Sequence, residues 1–124
     1  MQQESETGSP ATVLVVDGAN VVGSVPDGWW RDRKAAVERL RDRLAERQQG
    51  EEILLVVEGA ARGVASVPGV QVLDAPGEGD DLIAELAARH ADRDCVVVTA
   101  DRALRARVQA AGARCAGPRT VRPV

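Results

Sequence analysis

Aromatic residues are nearly absent from this sequence, which has two Trp and neither Tyr nor Phe among its 124 residues. The core must therefore be filled by Val, Leu, Ile and Ala, which suits a parallel sheet buried beneath Ala-rich helices. Hydrophobic residues still make up 44% of the chain and charged residues 28%, the ordinary composition of a globular protein. The length is typical of a single domain.

Cysteine and histidine are scarce, with Cys95, Cys115 and His90 the only examples. Two cysteines in apolar runs exclude a disulfide framework, and no closely spaced Cys or His set suggests zinc. A lone histidine gives no support to a Ser or Cys catalytic triad. A receiver-like signalling site is also poorly supported, because the sole lysine, Lys34, lies in the first predicted helix rather than after the last strands.

Positive charge is carried almost wholly by arginine, and the formal net charge is −3. Such a total does not indicate a nucleic-acid-binding surface by itself. Arginine nevertheless has a planar, forked group that suits phosphate, so local basic surface stays compatible with the acidic total.

Long apolar runs and targeting signals are lacking too. No segment approaches the length of a membrane-spanning helix, and residues 1–10 are polar and acidic, unlike a signal peptide. We expect a cytoplasmic protein without a membrane partner. Residues 1–10 are predicted to be a disordered lead-in, residues 11–118 the domain, and residues 119–124 a C-terminal tail.

Short apolar runs alternate with helical patterns along the rest of the chain. Strands are predicted at residues 12–16, 53–57, 70–73, 95–99 and 113–116, and helices at about residues 30–48, 82–87 and 104–111. Strands that alternate with helices imply right-handed crossovers. The sequence therefore predicts an α/β fold, a three-layer α/β/α sandwich with a four- to five-stranded, mainly parallel sheet.

Acidic residues follow the three strong apolar runs. Asp17, Glu58 and Asp101 lie at or just beyond those ends, and Asp80 and Asp81 open a helix. Because parallel strands place their carboxyl ends at one edge, where ligands bind, these carboxylates are expected to converge. Local alternatives exist: Asp80 and Asp101 stand where helix N-caps are wanted, and the following loop could carry Glu58 into solvent.

Clustered carboxylates repel one another unless a cation lies between them or some take up protons. Mg²⁺ or Mn²⁺ suits such oxygen ligands, and could polarise a phosphoryl oxygen, activate a water and stabilise a leaving oxygen. Phosphodiester hydrolysis uses all three effects. The sequence thus indicates a metal site built from acidic residues, with Asp17, Asp80 and Asp101 as the candidate catalytic residues and Glu58 and Asp81 as further candidate ligands.

Several polar residues near these carboxylates are candidates for substrate binding. Gly18 permits a tight turn after the first strand and a close approach of the backbone to a ligand. Trp29 and Trp30, with Arg31 and Arg33, could stack a base and hold phosphate, or one Trp could simply anchor the first helix. The candidate substrate-binding residues are Asn20, Thr99, Arg31, Arg62 and Arg102. Asn20 could instead cap a turn, Thr99 could be an ordinary strand end, and the arginines could simply be solvated.

Three segments resemble the acidic motifs of PIN-like domains, and most of all the YacP-like branch of the NYN group. They are Val-Val-Asp-Gly-Ala-Asn (15–20), Gly-Asp-Asp-Leu-Ile (79–83) and Val-Val-Thr-Ala-Asp-Arg-Ala-Leu (97–104). The resemblance implies a Mg²⁺- or Mn²⁺-dependent ribonuclease with Asp17, Asp80 and Asp101 as metal ligands. Asp80 fits this pattern better than Asp81, because the family's Asp stands three residues before an Ile or Leu. Ala19 departs from the Tyr of many relatives.

Three functions stay open at this point. The first is a metal-dependent ribonuclease acting on single-stranded RNA. The second is a phosphohydrolase of small nucleotides, and the third is a module of the same fold that binds RNA or a nucleotide without cleaving it. The acidic surface also leaves room for a protein partner or a homodimer.

Overall fold

A computed structural model of the chain describes residues 12–47 and 49–122, so the predicted lead-in at residues 1–10 lies outside the described residues. One sheet forms the centre of the molecule. Its strands are β1 (Thr12–Asp17), β2 (Glu52–Val57), β3 (Val70–Asp74), β4 (Asp94–Val98) and β5 (Arg114–Ala116). All neighbouring strands are parallel, in the order β3-β2-β1-β4-β5. The predicted parallel α/β sheet is confirmed, with five strands.

Four helices connect these strands: α1 (Gly18–Gly23), α2 (Arg33–Ala45), α3 (Gly79–Arg89) and α4 (Arg102–Ala110). The α2 helix begins three residues later than predicted, because the side chain of Asp32 caps it by accepting from the amide of Ala35 at 3.0 Å. Residues before it form a separate 3₁₀ turn, Trp29–Arg31, and further 3₁₀ turns lie at Gly59–Ala61 and Pro118–Thr120.

The core has two halves because successive residues of each strand point to opposite faces. Leu14 and Val16 pack with buried residues of α1 and α2, including Val21 and Leu40. Val13 and Val15 pack in the other half, with the buried residues of α3 and α4. Helices thus cover both faces of the sheet, which confirms the predicted three layers.

Residues 18–23, directly after β1, form the short helix α1, which the sequence did not predict. Asp17 caps this helix, and Val21 and Val22 are buried, with 0% and 4% of their surface exposed. Gly18 is needed for packing: a Cβ there would lie 2.6 Å from the backbone oxygen of Val56 in β2. A helix of six residues is too short to show a clear apolar period.

The described part of the predicted C-terminal tail packs against this helix. Val121 is 3% exposed and belongs to the same half of the core as α1. Arg122 donates to the carbonyl oxygen of Val22 at 2.8 Å and to that of Val21 at 3.3 Å, and it also pairs with Asp27. Ser24 also donates to the carbonyl of Val21, from its amide at 3.2 Å and from its hydroxyl at 2.6 Å, so Ser24 and Arg122 together close the C-terminal end of α1.

None of the helices within residues 12–47 and 49–122 combines the length and apolar character needed to cross a membrane.

Replacing Gly18 by Ala should destabilise the fold by about 1–3 kcal/mol, the usual cost of overpacking, because the new Cβ meets backbone rather than a flexible side chain. Urea unfolding measures this cost. Gly77→Ala is the matched control, since a Cβ at Gly77 meets nothing within 4 Å. Equal free energies of unfolding for the two variants would contradict the close approach of α1 to β2.

Candidate active site at the carboxyl edge of the sheet

The strand register places Asp17 and Thr99 side by side. Val16 of β1 lies opposite Val98 of β4, so the residues that follow them reach the sheet edge at the same level. Both residues continue the series of side chains that faces α3 and α4. Asp17 and Thr99 are the two buried polar residues in the described part of the chain, at 5% and 0% exposed.

Asp17 is held by two hydrogen bonds. Its Oδ2 accepts from the hydroxyl of Thr99 at 2.9 Å, and its Oδ1 accepts from the backbone amide of Asn20 at 3.3 Å. The Thr99 hydroxyl in turn accepts from the amide of Asp101 at 3.1 Å. Since that amide can only donate, the hydroxyl is left to direct its own proton toward Asp17.

The loop after β4 is held by hydrogen bonds from two helices, α1 and α4. The side-chain oxygen of Asn20 accepts from the amide of Ala100 at 2.8 Å, and the guanidinium of Arg105 donates to the carbonyl of Thr99 at 2.7 Å. Asn20 therefore joins α1 to this loop through its side-chain oxygen. Arg105 therefore binds the loop instead of pointing into solvent. The helical pattern of the sequence did not predict this contact.

Of the two aspartates that the sequence placed at possible helix N-caps, one is a cap and the other is not. Asp101 does cap α4, accepting from the amide of Leu104 at 3.0 Å. Asp80 lies inside the first turn of α3, where the N-cap position belongs to Glu78. Its carboxylate is therefore not used as a cap, and the local explanation for Asp80 is lost.

Glu58 links β2 to α3. Its Oε1 accepts from the amide of Gly79 at 2.7 Å, which satisfies a free amide at the positive end of the helix. A Cβ on Gly79 would lie 2.7 Å from the same oxygen, so a side chain there would displace Glu58. Sequence reasoning assigned no role to Gly79, because the contact joins residues from separate elements.

The charges of these carboxylates affect one another's pKa values. Burial raises the pKa of Asp17 above its ordinary value, the charges of Asp80 and Glu58 raise it further, and the bonds from Thr99 and Asn20 oppose the rise. Burial likewise raises the pKa of Asp80, helped by the charges of Asp101 and Glu58. The charge of Arg107 opposes the rise in the pKa of Asp80 without cancelling it.

The other predicted site residues lie apart from this group. Asp81 forms an exposed ion pair with Arg107 at 3.1 Å instead of facing the other acids. Arg31 lies over the ring of Trp30, and Arg62 and Arg102 are exposed. Within residues 12–47 and 49–122, none of these three arginines forms an ion pair with the acidic group.

The donor chemistry of the edge suits a hard divalent cation, since every candidate ligand is a carboxylate. Among the described residues, however, no three acidic, histidine or cysteine side chains converge closely enough to bind a metal by themselves. Mg²⁺ commonly keeps several waters and binds through only one or two carboxylates. The residues present therefore fit a largely hydrated ion rather than one enclosed by protein ligands.

Comparison with solved structures supplies the fold relationship. A mutant of Rae1 (YacP) from Bacillus subtilis superposes with a TM-score of 0.74 at 23% identity, covering 89% of this chain and 72% of that one. This chain has the Rae1 fold. The predicted YacP-like resemblance is thereby confirmed at the level of the fold. No protein-family model and no curated protein sequence matches the chain significantly.

Replacing Thr99 by Val should lower the free energy of unfolding at neutral pH by about 1–3 kcal/mol, because the buried Asp17 loses a hydrogen-bond donor. The same Thr99→Val change made in an Asp17→Asn variant should lower the free energy of unfolding by less, because the substituted amide carries no charge for the hydroxyl to stabilise. Thr12→Val is the matched control: it removes a 3.1 Å bond to Asp94 that is exposed to solvent. Equal costs for the two Val variants would contradict the special role of Thr99.

The raised pKa of Asp17 also predicts a pH effect in metal-free protein. A raised pKa in the folded state favours the folded protein at low pH, and that contribution is lost as pH rises from the ordinary value of 3.8 through the raised one. Asp17→Asn should therefore be more stable than the wild type at neutral pH, by a margin that narrows toward pH 4. Urea unfolding in EDTA across this range measures the margin. A difference in stability between the two proteins that does not change with pH would contradict a raised pKa for Asp17.

Proposed function

We propose that this protein is a metal-dependent ribonuclease that hydrolyses phosphodiester bonds of single-stranded RNA at the carboxyl edge of the sheet. The observation that supports it most is the electrostatic effect of Asp80, a carboxylate that caps nothing, on the buried carboxylate of Asp17. The charge of Asp80 raises the pKa of Asp17, and burial of Asp17 costs stability unless the charge is used.

Asp17, Asp80, Asp101 and Glu58 are the carboxylates that would hold the ion and its waters. A bound Mg²⁺ or Mn²⁺ would polarise the phosphoryl oxygens, lower the pKa of a water and stabilise the leaving oxygen. The bond from Thr99 orients Asp17, and the bond from Gly79 orients Glu58. This fixed arrangement is what such a site requires of the residues that support its ligands.

The carboxylates of Asp17 and Asp80 differ in how far they are open to solvent. Asp80 is only partly buried, so it is the one of the two that substrate and solvent can reach. Asp17 accepts hydrogen bonds from Thr99 and from the amide of Asn20, and its role would be to provide a fixed negative charge.

Cleavage of end-labelled single-stranded RNA in Mn²⁺ tests the proposal. Asp17→Asn and Asp80→Asn should each lower the rate by at least about 100-fold, because even residues that merely orient metal ligands cost roughly 10- to 100-fold when replaced. Asp92→Asn is the matched control, an equally conservative change at an exposed residue outside the acidic group, and it should cleave like the wild type.

Failure of folded wild-type protein to cleave RNA in Mn²⁺ or Mg²⁺ would overturn the proposal. So would cleavage that survives in Asp17→Asn, which would point to a contaminating nuclease. Release of phosphate from nucleoside triphosphates without any RNA cleavage would favour the phosphohydrolase alternative instead.

A further inference from the structure

We propose that a pocket beside the acidic edge receives one unstacked base of the RNA substrate; this inference rests on the proposed function and defines its substrate site. The pocket lies between α1, α2 and the end of β2, on the face of the sheet that α1 and α2 cover. Gly18 and Ala19, the residues directly after Asp17, form part of its wall, and Glu58 forms another. A group held there is adjacent to Glu58 and to the residues that follow Asp17.

The size of the pocket limits its occupant. Its volume is about 120 Å³, roughly ten times the room that one water needs. Pockets for drug-sized ligands are larger, at about 300–1,000 Å³. The space therefore suits a single ring system, while the sugar and phosphate of the same nucleotide would lie outside it, toward the acidic edge.

The walls have the chemistry that a base requires. Val22, Val37 and Val57 give apolar surface, and the half-buried Trp29 also lines the pocket. The guanidinium of Arg33 lies over that ring at 5.0 Å from its centroid and also lines the pocket. Aromatic rings and guanidinium planes are the surfaces on which proteins stack unpaired bases.

Trp29 and Trp30 have separate roles in this arrangement. Trp30 meets Trp29 edge-on with the ring centroids 5.8 Å apart, is 49% exposed, and does not line the pocket. Arg31, which lies over Trp30, does not line it either. Of the four residues that the sequence offered for stacking a base, the geometry selects Trp29 and Arg33.

The scarcity of aromatic residues makes this pocket directly observable. Because the chain has two Trp and no Tyr, a Trp30→Leu variant emits from Trp29 alone. We expect nucleoside 5′-monophosphates, added in EDTA, to quench this emission saturably, with ribose 5-phosphate as the base-free control that does not. EDTA separates base binding from metal binding and from cleavage.

Filling the pocket should remove the effect. Ala19→Leu, made in the Trp30→Leu background, places a larger side chain in the pocket wall and should weaken monophosphate binding about tenfold or more, the scale of one lost stacking contact. Ala106→Leu, an exposed alanine on α4, is the matched control and should bind normally. Arg33→Met, an exposed change on α2 that spares the core, should also weaken binding.

Two results would overturn the base pocket: no saturable quenching by any monophosphate, or equal quenching after Ala19→Leu and Arg33→Met in proteins shown to be folded by circular dichroism. If RNA is cleaved normally by Ala19→Leu and no quenching is seen, the pocket proposal fails while the ribonuclease stands. If monophosphates quench Trp29 saturably but RNA is never cleaved, the base pocket stands and the ribonuclease fails.

Discussion

Asp17 carries a carboxylate to the end of the central strand, where only 5% of the residue is exposed. An isolated charge in such a place is costly, so its neighbours must compensate. Thr99, from the strand paired with β1, supplies a hydroxyl, and the first turn of α1 supplies an amide. The position of Thr99, the start of α1 and the loop after β4 all follow from satisfying this one group.

The rest of the edge extends the same arrangement. Glu58 joins β2 to α3 through the amide of Gly79, and Asn20 joins α1 to the loop after β4 through the amide of Ala100. Each polar side chain therefore connects two elements that neighbour each other at the sheet edge. Hydrogen bonds of this kind fix positions more sharply than apolar packing does, so the carboxylates are held apart at set places although they repel.

The sheet could be predicted from sequence because strands buried on both faces need continuous apolar runs, such as Ile53 to Val57. The topology then brought the acidic residues to one edge. What could not be predicted depends on contacts between distant segments. Arg105 and Arg122 look like solvated arginines in the sequence, and the value of Gly79 depends on where Glu58 lies. The resemblance favoured Asp80 over its neighbour Asp81, but the ion pair between Asp81 and Arg107 could not be predicted.

The hydrogen bond between Asp17 and Thr99 spans 82 positions of the chain. During synthesis the first motif leaves the ribosome long before its partner strand exists, and β1 must wait for β4 to gain one of its two neighbours. The acidic edge is thus assembled only when nearly the whole domain has been made. Incomplete translation products that stop before residue 99 carry Asp17 without the hydroxyl that donates to it.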